Sequence, residues 1–154
     1  MQVFRLARAN RRYDLSGWGA YLVGGRWNLR GTAVLYTATS RALAAMEVLV
    51  HLPSGALPND MYMLTLDLPD TISREELLIS QLPPDWQRLS QPQPTAMLGD
   101  AWLRSGQSLA LRVPSVVVPQ EYNLLLNPAH PEFHQVHLAS EPELFSFDER
   151  LRKA

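Results

Sequence analysis

The chain has 154 residues, 46% of them hydrophobic and 19% charged, which is an ordinary globular balance and excludes a disordered tract or a long coiled coil. Fourteen Lys and Arg against fifteen Asp and Glu give a formal net charge of -1, without the basic excess of a domain that grips nucleic acid through its phosphates. Cys is absent, so disulfides, thiolate metal sites and a cysteine nucleophile are excluded.

Taken in chain order, 1–7 alternates loosely and predicts a first strand. The stretch 1–13 carries four arginines with no apolar core behind them, so it does not read as a signal peptide. Residues 14–25 hold Gly17, Gly19, Gly24 and Gly25 and read as a loop. TAVLYTA at 32–38 is β-branched and apolar, hence a strand. Thr39 or Ser40 caps a helix to about Leu52, stopped by Pro53. That helix is apolar almost all round, which predicts burial on most sides, with Ser40, Glu47 and His51 as its one polar stripe.

Further on, YMLTLDL at 62–68 predicts a strand, and Ser73 with Glu76 at capping-box spacing predicts a short helical turn over 73–78. Residues 82–94 contain four prolines and read as a surface loop. A helix is expected over 95–105, with Ala96, Leu98, Trp102 and Leu103 inward. Strands are expected over 109–113 and 116–118, broken at Pro114, then over 122–126, 136–138 and 144–147. The sum is a mixed α+β domain of short strands and two principal helices. The longest apolar-rich run, 42–52, contains Glu47 and His51 and is far short of a membrane span of roughly 20 residues, so the expectation is a soluble, cytoplasmic protein.

Several places could carry chemistry. Gly24-Gly25-Arg26-Trp27-Asn28 offers glycines that let a ligand approach the backbone, beside an arginine able to fork onto a phosphate or carboxylate. Spacing alone also fits a plain turn with a surface arginine, and the run is neither a Walker loop nor GxGxxG. Glu47 reads either as part of a solvated stripe or as a carboxylate lining a pocket. Ser115, between Pro114 and a β-branched run, reads as a hydroxyl for a ligand phosphate or ribose, or as one bonded to the backbone; no base or nucleophile elbow accompanies it. His130, His134 and His137 lack metal-ligand spacing, so no metal is expected. The four tryptophans read as packing, with Trp27 the exception because it adjoins Arg26.

Together the runs GGRWNLRGTAVLYTATSRALAAMEVLVHL and LGDAWLRSGQSLALRVPSVVVPQEYNLLLNPAHPEF resemble the RES-domain toxins, which are partnered with Xre-type antitoxins in bacterial toxin–antitoxin modules. The resemblance extends from about Phe4 to Phe147 and rests on an ordered set of motifs, not on one short match. The arginine, glutamate and serine that name the family fall on Arg26, Glu47 and Ser115, and the tyrosine of the strand before the helix falls on Tyr36. The resemblance implies a fold like the ADP-ribosyltransferases of the diphtheria-toxin type and an activity on NAD+ as substrate, with no further cofactor. Some such proteins degrade NAD+, with water or phosphate as acceptor, and some pass ADP-ribose to a protein.

It also implies roles. Glu47 would steady the ribose cation or also hold a ribose hydroxyl, Arg26 would hold the pyrophosphate or the adenosine-side ribose and phosphate, and Tyr36 would stack on nicotinamide. Trp27, Asn28 and Ser115 would complete the substrate contacts. A cognate antitoxin would cover the pocket, and any DNA contact would belong to that partner. The competing readings are a transferase acting on a protein, a non-catalytic binding domain on the same fold, and a metal hydrolase using the C-terminal histidines.

Overall fold

A computed structural model of the chain describes residues 1–88 and 93–152. Its framework is an eight-stranded sheet. In chain order the elements are β1 (Gln2–Arg8), α1 (Trp18–Val23), β2 (Leu35–Ala38), α2 (Arg41–Leu49), β3 (Met61–Asp67), β4 (Arg74–Glu76), α3 (Pro94–Ser105), β5 (Ala110–Pro114), β6 (Tyr122–Leu126), β7 (His137–Leu138) and β8 (Glu143–Phe145). The sheet runs β4-β5-β6-β2-β1-β3-β7, and β8 also pairs with β3. Only the β4–β5 pair is parallel; the others are antiparallel. This is the α+β architecture expected from the pattern of elements.

The centre of the sheet is made by apolar, β-prone segments. In β6, Leu124, Leu125 and Leu126 are all buried, and β2 lies against them with Leu35 opposite Leu126 and Ala38 opposite Asn123. Consecutive residues of a strand point to opposite faces, so a run buried throughout means that both faces of β6 are covered. Leu124 and Leu126 join Val3, Leu35, Leu66 and Leu109 in one cluster. Leu125 joins Trp27, Trp86, Trp102, Leu111 and Val113 in a second, under α3. A third cluster forms where Leu43, Ala44 and Leu49 of α2 meet Leu6, Ala38, Met61 and Met63.

Four expectations are corrected. The glycine-rich loop holds a helix, α1, bounded by Gly17 at φ 72° and Gly24 at φ 71°. Gly17 is left-handed and Gly24 combines a positive φ with an extended ψ of 177°, conformations that favour glycine, and a Cβ on Gly17 would sit 2.8 Å from the Val34 backbone. Within residues 73–78 the chain forms β4 over Arg74–Glu76, not a helical turn. The Ser73 hydroxyl donates to Glu132 and accepts from Leu109 N–H, so no capping box forms and the segment pairs with β5. Residues 116–118 are not a strand, because Ser115 Oγ accepts from the N–H groups of Val117 and Val118, each at 3.0 Å, and bends the chain. Pro114 does not break the preceding strand: it is its last residue, paired with Tyr122.

Helix α2 is buried along one side only; Met46 and Val50 are exposed. It lies against β1 and β2, and these two apolar residues face outward. Of the expected proline-rich loop, residues 89–92 lie outside the described residues, while Leu82 and Trp86 are buried and not on the surface. No described helix is long and apolar enough to cross a membrane.

Candidate active site

A cavity of about 560 Å³ opens between the β1–β2 part of the sheet, the inner face of α2 and the Gly24–Trp27 turn. Its volume is that of a small-molecule site. Arg26 and Glu47, separated by 21 positions in sequence, both line it, one from the Gly24–Trp27 turn and the other from α2.

Glu47 is placed by the helix. Ser40 Oγ accepts from Leu43 N–H at 3.1 Å and starts α2, and the carboxylate emerges two turns later, half-buried. Oε1 accepts from Ser115 Oγ at 2.8 Å and from Asn123 Nδ2 at 2.6 Å. Among the described residues no cation lies within ion-pair distance of Glu47, and no group is bonded to Oε2. One oxygen is therefore anchored and the other is available.

Arg26 is placed by the turn. Its Nη1 donates to the Trp86 carbonyl at 2.9 Å and Nη2 to the Gln87 carbonyl at 3.5 Å. These acceptors are neutral. Burial pulls the guanidinium below its ordinary pKa, while Glu47 and Tyr36 push back. A half-buried cation with carbonyl partners and no carboxylate has charge to spare for an anion.

Tyr36 sits on β2 with its ring lining the cavity, but its hydroxyl is already used. It donates to Asn28 Oδ1 at 2.7 Å and accepts from Trp27 N–H at 3.0 Å. Burial drives the phenol well above its ordinary pKa, against the smaller opposing effects of the Trp27 N–H and Arg26. The hydroxyl thus straps the turn carrying Arg26 to the sheet. Gly25 makes room for this strap, since a Cβ there would lie 2.7 Å from the Tyr36 hydroxyl and 3.0 Å from Asn28 Oδ1.

The other expected substrate contacts stand behind the site. Asn28 is 1% exposed, and its Nδ2 donates to the carbonyls of Ala20, Leu29 and Thr32. With Oδ1 held by Tyr36, its hydrogen-bonding capacity is filled from within the protein. Trp27 is 2% exposed and packed with Trp86 in the core, while also lining the cavity. Ser115 is fully buried, donating to Glu47 and accepting from two backbone N–H groups. In this structure Asn28 and Ser115 hold the site's walls and do not line the cavity.

Several lining residues were not singled out from the sequence. Arg5, on β1, donates from Nη1 to the Tyr36 carbonyl at 3.2 Å, and its Nε is buried with no partner among the described residues. Burial lowers its pKa; Asp14 partly offsets this and Arg11 adds to it. A cation inside a strand that otherwise packs inward was the available signal. Asn123 and Gln93 also face the cavity, and His51 stands at its rim one turn beyond Glu47. A smaller cavity of about 240 Å³ adjoins the first and shares Arg5, Val23, Gly24 and Tyr36 with it.

Elsewhere the C-terminal histidines bond to nearby backbone: His130 Nδ1 accepts from Glu132 N–H, and the other two rings contact carbonyls. Among the described residues no three His, Asp or Glu side chains gather as a metal-binding group.

The chain is similar to known proteins over most of its length. The family model described as the RES domain matches residues 2–148. The "Prs ADP-ribosylating toxin" of Sphingobium sp. (strain YBL2) is 44% identical over 134 residues, covering 84% of this chain and 83% of that protein. A "Toxin Res" of Yersinia enterocolitica is 39% identical over 156 residues, covering 99% of this chain and all of that one. Among solved structures, the M. tuberculosis MbcT–MbcA toxin–antitoxin complex contains a similar fold, with a TM-score of 0.65 at 21% identity over 98% of this chain and 86% of that chain. A family match running from β1 past β8, with relatives of nearly equal length, makes this chain a member of the RES domain family.

Proposed function

We propose that the chain is the toxin of a toxin–antitoxin module and that it cleaves the nicotinamide–ribose bond of NAD+. One observation carries this reading: Arg26 and Glu47, unpaired with each other, face one cavity of about 560 Å³. Breaking the glycosidic bond develops positive charge on the ribose, as in glycoside hydrolysis. A fixed carboxylate beside that carbon stabilises the oxocarbenium-like transition state without reorganising. Glu47 supplies it through the free Oε2. Arg26 holds the pyrophosphate, with Arg5 as a second cation on the same cavity, and the Tyr36 ring covers nicotinamide. Nicotinamide leaves as a neutral molecule, so no general acid is required.

Asn28 and Ser115 serve this chemistry indirectly, through Tyr36 and Glu47. Relatives named as toxins support the toxin reading, and the complex formed by the structural neighbour supports an antitoxin partner for this chain. We infer a helix-turn-helix partner of the Xre type, which would carry any DNA contact and leaves this chain free to be nearly neutral.

The second reading is transfer of ADP-ribose to a host protein, favoured by the name of the Sphingobium relative as an ADP-ribosylating toxin. Incubation with NAD+, with and without phosphate, followed by product identification, separates the two. Free nicotinamide with ADP-ribose or its phosphorylated form supports degradation. Nicotinamide release only when a protein acceptor is added, with a matching mass increase on that protein, supports transfer. No nicotinamide release under any of these conditions overturns both.

A further inference from the structure

We propose that Asn123 is a positioning residue for the reacting carboxylate: its amide fixes Glu47 Oε1 so that Oε2 alone faces the sugar. This rests on the reading of Glu47 given above. The contact is the shorter of the two that hold Glu47, 2.6 Å against 2.8 Å for Ser115. A carboxylate only accepts hydrogen bonds, so the amide must turn Nδ2 toward Glu47, which assigns the orientation of the side chain.

The backbone beneath Asn123 is itself well placed. It lies on β6, opposite Ala38 of β2 on one side and Val113 of β5 on the other, so neighbouring strands hold it from both edges. Ser115 leaves the same β5 two residues after Val113, with its N–H bonded to the Glu121 carbonyl at 2.9 Å. Two donors from adjacent strands therefore converge on one oxygen of a helix side chain. Ser115 alone would leave the carboxylate free to rotate about that bond. The second donor fixes its plane, and a carboxylate held before the sugar arrives need not be ordered during the reaction.

Turnover of NAD+ by Asn123 variants of the intact protein tests this, with Glu47→Gln alongside. Asn123→Ala is expected to lower kcat about 10–100-fold, the usual cost of losing an orienting partner, with KM for NAD+ within about twofold. Asn123→Asp keeps the shape and gives the discriminating readout. Two carboxylates this close share one proton over a range of pH and titrate as a pair. While the proton is present the aspartic acid donates to Oε1 as the amide did. When it leaves, the two anions repel and Glu47 swings away. The ratio of Asn123→Asp to parent kcat should therefore fall as pH rises, whereas the ratio for Asn123→Ala stays level.

The other ionisable groups on the cavity, Arg5, Arg26, Tyr36 and His51, and Glu121 beside Ser40, are present in both proteins, so they cancel in the ratio. A parent-like kcat in Asn123→Ala, or a pH-independent ratio for Asn123→Asp, overturns the inference. If Asn123→Ala does not fold, the isosteric Asn123→Asp carries the test by itself. An inactive Glu47→Gln beside parent-like Asn123 variants defeats this inference alone. An active Glu47→Gln defeats the reading of Glu47 and this inference with it.

Discussion

At the scale of single residues, the candidate site leaves selected atoms unpaired. Glu47 keeps one oxygen free, and Arg26 is bonded to carbonyls without a counter-ion. Replacing Glu47 with Gln preserves shape and removes the charge, so nicotinamide release should fall by roughly 10²–10³ or more, read as kcat at saturating NAD+. Arg26→Lys should raise KM for NAD+, because one ammonium cannot serve the loop carbonyls and fork onto a pyrophosphate. Unchanged affinity would remove Arg26 from that role. Tyr36 makes a different prediction. Its phenol pKa is raised in the folded protein, so its contribution to stability is complete below the ordinary value of about 10 and is lost as pH rises from there toward the folded value. The melting temperature should decline above pH 10, and Tyr36→Phe should reduce that alkaline sensitivity while lowering stability at neutral pH.

At the scale of elements, the turn that carries Arg26 is held from three directions. Tyr36 straps it to β2, Asn28 ties it to α1 through the Ala20 carbonyl, and α3 presses on it from behind. The last contact depends on Gly99. A Cβ there would lie 1.9 Å from the Trp27 carbonyl oxygen and 2.8 Å from the carbonyl carbon, which are backbone atoms and cannot swing aside. Gly99→Ala should cost about 3 kcal/mol or more, a melting-temperature drop of roughly 6–12 °C. It should also raise KM for NAD+ by shifting Arg26. A parent-like melting temperature would show that α3 and the turn have slack between them. Much of this level was legible beforehand: the glycine pairs, the capping serine of α2 and the β-branched strands all announce local structure. The helix inside the glycine-rich stretch was not, because its ends depend on Gly17 lying against Val34. The strand at 74–76 was missed because the Ser73 hydroxyl is claimed by Glu132, 59 positions away.

At the scale of the whole molecule, the sheet and its packed helix bring together residues from β1, β2, α2 and β6 around one cavity. If that cavity consumes NAD+, expression in bacteria should drain the cellular NAD pool and arrest growth, and the Glu47→Gln chain should do neither. Arrest with a normal NAD pool, measured in the same cells, would point to protein modification. The sequence by itself determined the family and the α+β class, and it offered the candidate site residues, because the order of the motifs and the local periodicities are written along the chain. It could not say which of those residues face the cavity. Asn28 and Ser115 turned inward to other side chains, and Arg5 and Asn123 turned toward the cavity. That division depends on which strands become neighbours. Strand pairing is set by long-range burial, which no local pattern of residues specifies.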